Sequence, residues 1–241
     1  RSDRYITGSI NFVPGVRAND GTVQSIGLSA EFDRNGVIIV PNSTIPGLYD
    51  RDHDYAISFF ISASNTGSNN QVVIAKSGTR KPYEIQLLTN KKIRFNDYTD
   101  ASKRKSVSVT STSAVTSSWN HVVCQKSGSY MQIYINGSLE ISTDQSLLKV
   151  PNSPFTQSMR FDSNGGTYIG GWNLSNITNN FIGKLDEVRI YNKALTSTEI
   201  GYLRDLSETG SMLQTNVIGN VFSKQGIAVI SSPNYIYNNI L

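Results

Sequence analysis

Apolar side chains recur at every second position through much of this chain, the period of a strand with one buried face. In residues 26–33, Leu28, Ala30 and Phe32 fall on one side and Ser29, Glu31 and Asp33 on the other. Residues 55–63 place apolar groups on both sides, which predicts a central strand. Further strands are predicted over 5–12, 37–40, 71–76, 83–88, 92–96, 106–110, 119–126, 130–135 and 138–142. Gly, Ser, Asn and Pro clusters separate them, among them Arg34-Asn35-Gly36 and Asn136-Gly137. Val188 and Ile190 alternate with Arg189 and Tyr191 in a late strand. A helix follows it: Thr196 is positioned to cap, Glu199 closes a capping box, and Leu195, Ile200 and Leu203 turn toward one core. The pattern predicts an all-β sandwich with one short helix near the C-terminus.

The apolar pattern divides the chain into a sandwich over 1–206 and a C-terminal hairpin or tail over 207–241. In the tail, two apolar runs within 217–231 flank Ser223–Gly226, and Lys224 is their only charge. An isolated hairpin is marginal in water. This one must therefore cover the sandwich or meet a partner, and an assembly contact is the expectation. At 241 residues with 17% charged side chains, the chain suits a β domain with polar turns. Cys124 is the only cysteine, which excludes an intrachain disulfide. No run approaches the length of a membrane-spanning helix, so membrane insertion is not expected.

The net charge of +4 is unevenly distributed. Between 76 and 105, Lys76, Arg80, Lys81, Lys91, Lys92, Arg94, Lys103, Arg104 and Lys105 face only Glu84, Asp97 and Asp100. Solvated hairpin lysines that block edge pairing are one reading, and a patch for an anionic polysaccharide is the other. Nucleic acid is an unfavoured partner, because few aromatics interleave the bases and no recognition-helix pattern is present.

Two kinds of chemistry have candidate residues. Asp50, Asp52 and Asp54 place three carboxylates in a loop before a strand, a hard-oxygen set suited to Ca2+. Tyr55 and Ile61 stand where an EF-hand needs Gly and Glu, so the loop is not of that type, and a solvated acidic loop is the alternative. Asp162-x-Asn164-Gly165 is a weaker metal candidate. Glycan contact requires an aromatic face beside amide and carboxylate groups. Trp172 follows Gly170-Gly171 in a loop with Asn173, Asn176, Asn179 and Asn180, and Tyr98 lies beside Asn96 and Asp97. The alternative for Trp172 is packing over the end of the sandwich.

The run Phe181-x-Gly183-x-Leu185-Asp186-Glu187-Val188-Arg189-Ile190-Tyr191-Asn192-x-Ala194-Leu195-Thr196-x-x-Glu199-Ile200 resembles the closing motif of laminin-G-like domains, in the concanavalin-A-like lectin/glucanase superfamily. Trp119–Val123, Met131–Gly137, Glu31–Asp33 and Tyr168–Gly170 resemble its other strands, so the likeness covers about residues 26–206. It implies an all-β fold, a two-sheet antiparallel jelly-roll sandwich with one short helix near the C-terminus, in which Trp119 is core and His121 is a packing residue. The hydrolytic branch carries Glu-x-Asp-x-x-Glu on one strand, and this chain has no such run. Asp186 and Glu187, as strand neighbours, are expected on opposite faces. A non-catalytic binding or structural module is therefore expected. Residues 219–222 and 226–230 resemble a short hairpin of tailed-phage virion proteins. That likeness implies a virion location, other virion subunits as partners, and a role as tail or fibre adhesion module or capsid decoration. The alternatives are a carbohydrate-binding adhesin domain on a bacterial surface and a glycoside hydrolase.

Overall fold

The computed structural model describes residues 5–15, 28–41, 54–63, 67–76, 83–98, 106–144, 166–172, 177–205, 217–222 and 227–230. In chain order the strands are β1 (Tyr5–Thr7), β2 (Asn11–Pro14), β3 (Leu28–Asp33), β4 (Val37–Pro41), β5 (Tyr55–Ser62), β6 (Gln71–Lys76), β7 (Tyr83–Leu87) and β8 (Lys92–Tyr98). They continue with β9 (Ser106–Ala114), β10 (Asn120–Ser127), β11 (Tyr130–Ile135), β12 (Ser138–Asp144), β13 (Gly166–Ile169) and β14 (Ile182–Tyr191). Helix α1 (Ser197–Asp205), β15 (Val217–Phe222) and β16 (Ile227–Ile230) follow.

These strands make two antiparallel sheets, the sandwich that the alternation predicts and the jelly roll that the resemblance implies. One sheet runs β1-β4-β13-β6-β7-β8-β9. The other runs β12-β11-β10-β5-β14-β15-β16, with β3 also on β14 and β2 on β3. The inward residues of both sheets interlock in one core around Phe32, Ile57, Phe59, Ile85, Phe95 and Phe181, all essentially inaccessible. Each such side chain contributes about 1.5–3 kcal/mol of transfer free energy. Along one side of the sandwich, Ser113 N–H donates to Glu140 Oε2 at 2.7 Å, tying β9 to β12.

The stretch read as one strand over 5–12 is two, and they belong to different sheets. β1 pairs with β4 and β2 with β3. Gly8, at φ +84°, lies between them, and a Cβ there would overlap the Asn35 carbonyl. A Cβ on Gly36 would likewise overlap the Ser9 carbonyl. The chain thus passes from sheet to sheet over the turn after β3, at a point where only glycine fits.

Outside the core, α1 packs on the outer face of the second sheet. Leu195, Ile200 and Leu203 meet Ala56, Val123 and Tyr191 in a second apolar cluster. The capping box forms as its residues predict. Glu199 N–H donates to Thr196 Oγ1 at 3.3 Å, and Thr196 N–H donates back to Glu199 Oε2 at 2.8 Å. Gln125 locks the helix entry, accepting from Leu195 N–H at 2.8 Å and donating to Leu195 O at 3.3 Å.

Beyond the helix, β15 pairs with β14 at Ile190 and Tyr191, and β16 pairs with β15. The hairpin's first partner is therefore its own sheet. β3 occupies the same edge of β14 over Ile182–Leu185, and β15 takes it up where β3 has ended.

Candidate functional site

At one end of the sandwich, three segments are held by a single amide. Asn180 is fully buried. Its Oδ1 accepts from Trp172 N–H at 3.1 Å, and its Nδ2 donates to Arg34 O at 3.0 Å. The turn after β13 is thereby fixed to the turn after β3. The glycines before Trp172 permit this approach. Gly170 has φ +87°, and a Cβ on it would overlap the Phe32 ring. A Cβ on Gly171 would overlap the Asn180 amide. Gly170 N–H donates to Val73 O at 2.8 Å, and Phe181 N–H to Gly170 O at 2.9 Å. Gln71, also fully buried, accepts from Ile182 N–H at 2.9 Å. The outcome is a half-buried Trp172 on a rigid backbone at the rim.

Arg34 is the other distinctive residue of this rim. It holds φ +80°, which a side chain other than glycine rarely adopts. Its guanidinium lies against Gly67, where a Cβ would collide with it. Its Nε is buried with no hydrogen-bond partner among the described residues. The neighbouring Asp33 carboxylate is engaged by Asn35, through the backbone N–H at 2.9 Å and the side-chain amide at 3.2 Å. Those bonds hold its pKa below the usual carboxylate range.

The structure distributes the other candidates elsewhere. Asn173, Asp50 and Asp52 lie outside the described residues, as do Asn176, Asp162 and Asn164, and the Tyr98 side chain does too. Asn96 is only 6% exposed, opposite Glu84 and Ser108 in the first sheet. Its strand β8 is three strands from β13, about 14 Å at ordinary strand spacing, so Asn96 and Trp172 do not share a site. Asn180, one of the asparagines that the sequence places in the loop with Trp172, bonds Trp172 N–H and Arg34 O through its amide. Asp54 Oδ1 accepts from Gly128 N–H at 2.6 Å, fastening the entry of β5 to the β10–β11 turn. Among the described residues no group of three His, Cys, Asp or Glu side chains could hold a metal. The place of Arg34 at this rim has no signal in the sequence, because hydrophobic periodicity carries no information about a turn.

Three expectations need correction. Trp119 precedes β10 and is half-buried, outside the main core, because the inward positions of β10 are taken by Val122 and Cys124. Lys76, counted in the basic stretch, is 1% exposed, and burial lowers its pKa to about 7. Asp186 and Glu187 do not alternate. A bulge between Asp186 and Arg189, with Glu187 at φ +48°, adds a residue to β14. Asp186 pairs with Phe60 and Arg189 with Ser58, two residues of one face, and the Glu187 carboxylate bonds Arg189. Both carboxylates are buried, and desolvation raises the Glu187 pKa despite Arg189.

His121 packs on that same outer face, as the sequence predicts. Its Nε2 lies 2.9 Å from Ser58 Oγ, and its ring lies against Phe60 at 4.9 Å. Nδ1 is buried without a partner among the described residues. Burial first, then Arg189 and Arg204, lower its pKa to about 3, with Asp205 opposing.

The fold has counterparts among known proteins. Among solved structures, domain 4 of AbnA, a GH43 extracellular arabinanase from Geobacillus stearothermophilus, in complex with arabinotriose, aligns with a TM-score of 0.58 at 18% identity. The alignment covers 83% of this chain and 87% of that domain. The binding domain of botulinum neurotoxin DC, in complex with rat synaptotagmin II, aligns with a TM-score of 0.61 at 16% identity, over 87% of this chain. The receptor-binding domain of the botulinum neurotoxin C/D mosaic serotype gives 0.60 at 16%, over 86%. This chain spans 48% and 47% of those two neurotoxin chains. No curated protein sequence matches the chain. A family model described as "Concanavalin A-like lectin/glucanases superfamily" matches residues 33–201. That match runs from the end of β3 into α1 and takes in both sheets, and the chain belongs to the concanavalin A-like lectin/glucanases superfamily.

Proposed function

We propose that the chain is a non-catalytic carbohydrate-binding module whose glycan contact is the Trp172 rim. The observation that carries this is the Gly170-Gly171-Trp172 turn, fixed by a buried Asn180 so that a half-buried indole is presented on rigid backbone. A preorganised aromatic platform loses little entropy when a sugar ring stacks on it. The arabinotriose complex of the AbnA domain supports the class of ligand. The non-catalytic part is supported by Asp186 and Glu187, which are buried and, for Glu187, engaged by Arg189. Incubation with β-glucans and galactans should release no reducing sugar, and turnover abolished by Asp186→Asn or Glu187→Gln would refute this part. For binding, calorimetric titration with arabinotriose and galactotriose should show an affinity that Trp172→Ala weakens by about tenfold or more. Equal binding by Trp172→Ala would remove the rim from the reading.

A second reading is favoured by the hairpin. It lies beyond the family match and leaves β16 at the edge of the sheet among the described residues. In that reading the module is a subunit of a phage virion or a bacterial surface array, and the β16 edge joins another copy or subunit by strand addition. Purified particles carrying the chain in repeated copies would support it. Calcium in the Asp50–Asp54 loop belongs to either reading. Chelation should lower Tm, and Asp52→Ala should abolish that sensitivity.

A further inference from the structure

We propose that Arg34 makes the rim selective for glycans that carry a carboxylate. The inference rests on the glycan reading of the Trp172 rim and extends it to the class of sugar. Four observations bear on it. Asn180 binds Arg34 O with one end of its amide and Trp172 N–H with the other, so a single buried amide bridges the backbones of the two residues. Arg34 is held in a left-handed conformation, a strain of about 1–3 kcal/mol that the surrounding turn sustains. Its guanidinium is laid over Gly67, itself at φ +59°, in space that any side chain at 67 would fill. Nε is buried without a hydrogen-bond partner, and Arg34 enters no ion pair among the described residues.

The nearest acid in sequence, Asp33, does not neutralise it. Its two carboxylate oxygens accept from Asn35. A guanidinium held over Gly67, at the same rim as the indole and short of an anion among the described residues, suits a sugar acid. The pyranose would stack on Trp172, and its carboxylate would take the paired N–H groups of the fork. A neutral sugar could use the indole but would leave the fork unmatched.

The test titrates one matched pair of probes, trigalacturonate and galactotriose, into the whole chain and its variants. Trigalacturonate should bind about tenfold or more tightly than galactotriose. Arg34→Gln should remove that preference while leaving galactotriose within about twofold, and Arg34→Lys should restore only part of it, because an ammonium lacks the fork. Raising the salt should weaken trigalacturonate and spare galactotriose. Galactotriose binding and Tm report whether each variant is folded. Equal affinity for the two probes, or a preference that survives Arg34→Gln, overturns the proposal and leaves the glycan reading standing. Failure of both probes, and of arabinotriose, overturns the glycan reading itself.

Discussion

Gly170 has no substitute at its position. Its left-handed backbone and the Phe32 ring both exclude a side chain. Gly170→Ala should cost about 2 kcal/mol or more and weaken sugar binding as well, since Trp172 moves with it; thermal melts and titrations of the variant measure both effects. His121 gives a pH signature. The folded form holds the imidazole neutral, with its pKa lowered to about 3. Its contribution to stability is therefore complete above the unfolded value of about 6.5 and is lost as the pH falls toward 3, by on the order of a few kcal/mol. Tm should drop across that window. His121→Gln should lower Tm at pH 8, because the Ser58 contact changes, and should flatten the dependence below pH 6.5. At this scale the sequence was least legible. That Trp172 stands in a glycine turn is visible in the letters. That Asn180 is spent on the backbone, and that Arg34 lies beside it, depends on contacts between residues far apart in the chain.

Helix α1 is stabilised by tertiary contact more than by propensity, since nine residues are too few to persist alone. Leu203→Ala should cost about 2–4 kcal/mol. Thr196→Ala should cost about 1 kcal/mol, because one end of the capping box is lost. Denaturant melts should rank the two in that order, and equal effects would mean that the helix is not packed as described. Elements were the most legible level. Period-two alternation placed β3, β7 and β11 nearly to the residue, because each turns alternate side chains to the core. The split of 5–12 escaped that test because Gly8 turns the chain without breaking the alternation of Ile6, Ile10 and Phe12 with the residues between them. The bulge in β14 escaped it for a related reason. One extra residue in a strand shows only against the register of its neighbour, here β5.

For the molecule as a whole, the deletion of residues 207–241 separates the two roles of the hairpin. β15 adds to β14 at only two positions, so the truncated sandwich should keep its cooperative melt and lose any self-association measured by light scattering. A truncated chain that does not fold would make the hairpin part of the core. The overall architecture could be foreseen from the order of motifs, whereas the partner of the C-terminal hairpin could not, since apolar strands pair equally well within a chain or between chains. β14 also sets a timetable. It is the strand against which β3 and β5 both lie, and it is among the last parts of the sandwich to be synthesised. On the ribosome, Asp33 must wait for Ile182 before their pairing can form, and the apolar faces of the earlier strands stay uncovered through that interval. Translation speed ahead of residue 182 thus becomes a determinant of how much of this protein reaches its folded state.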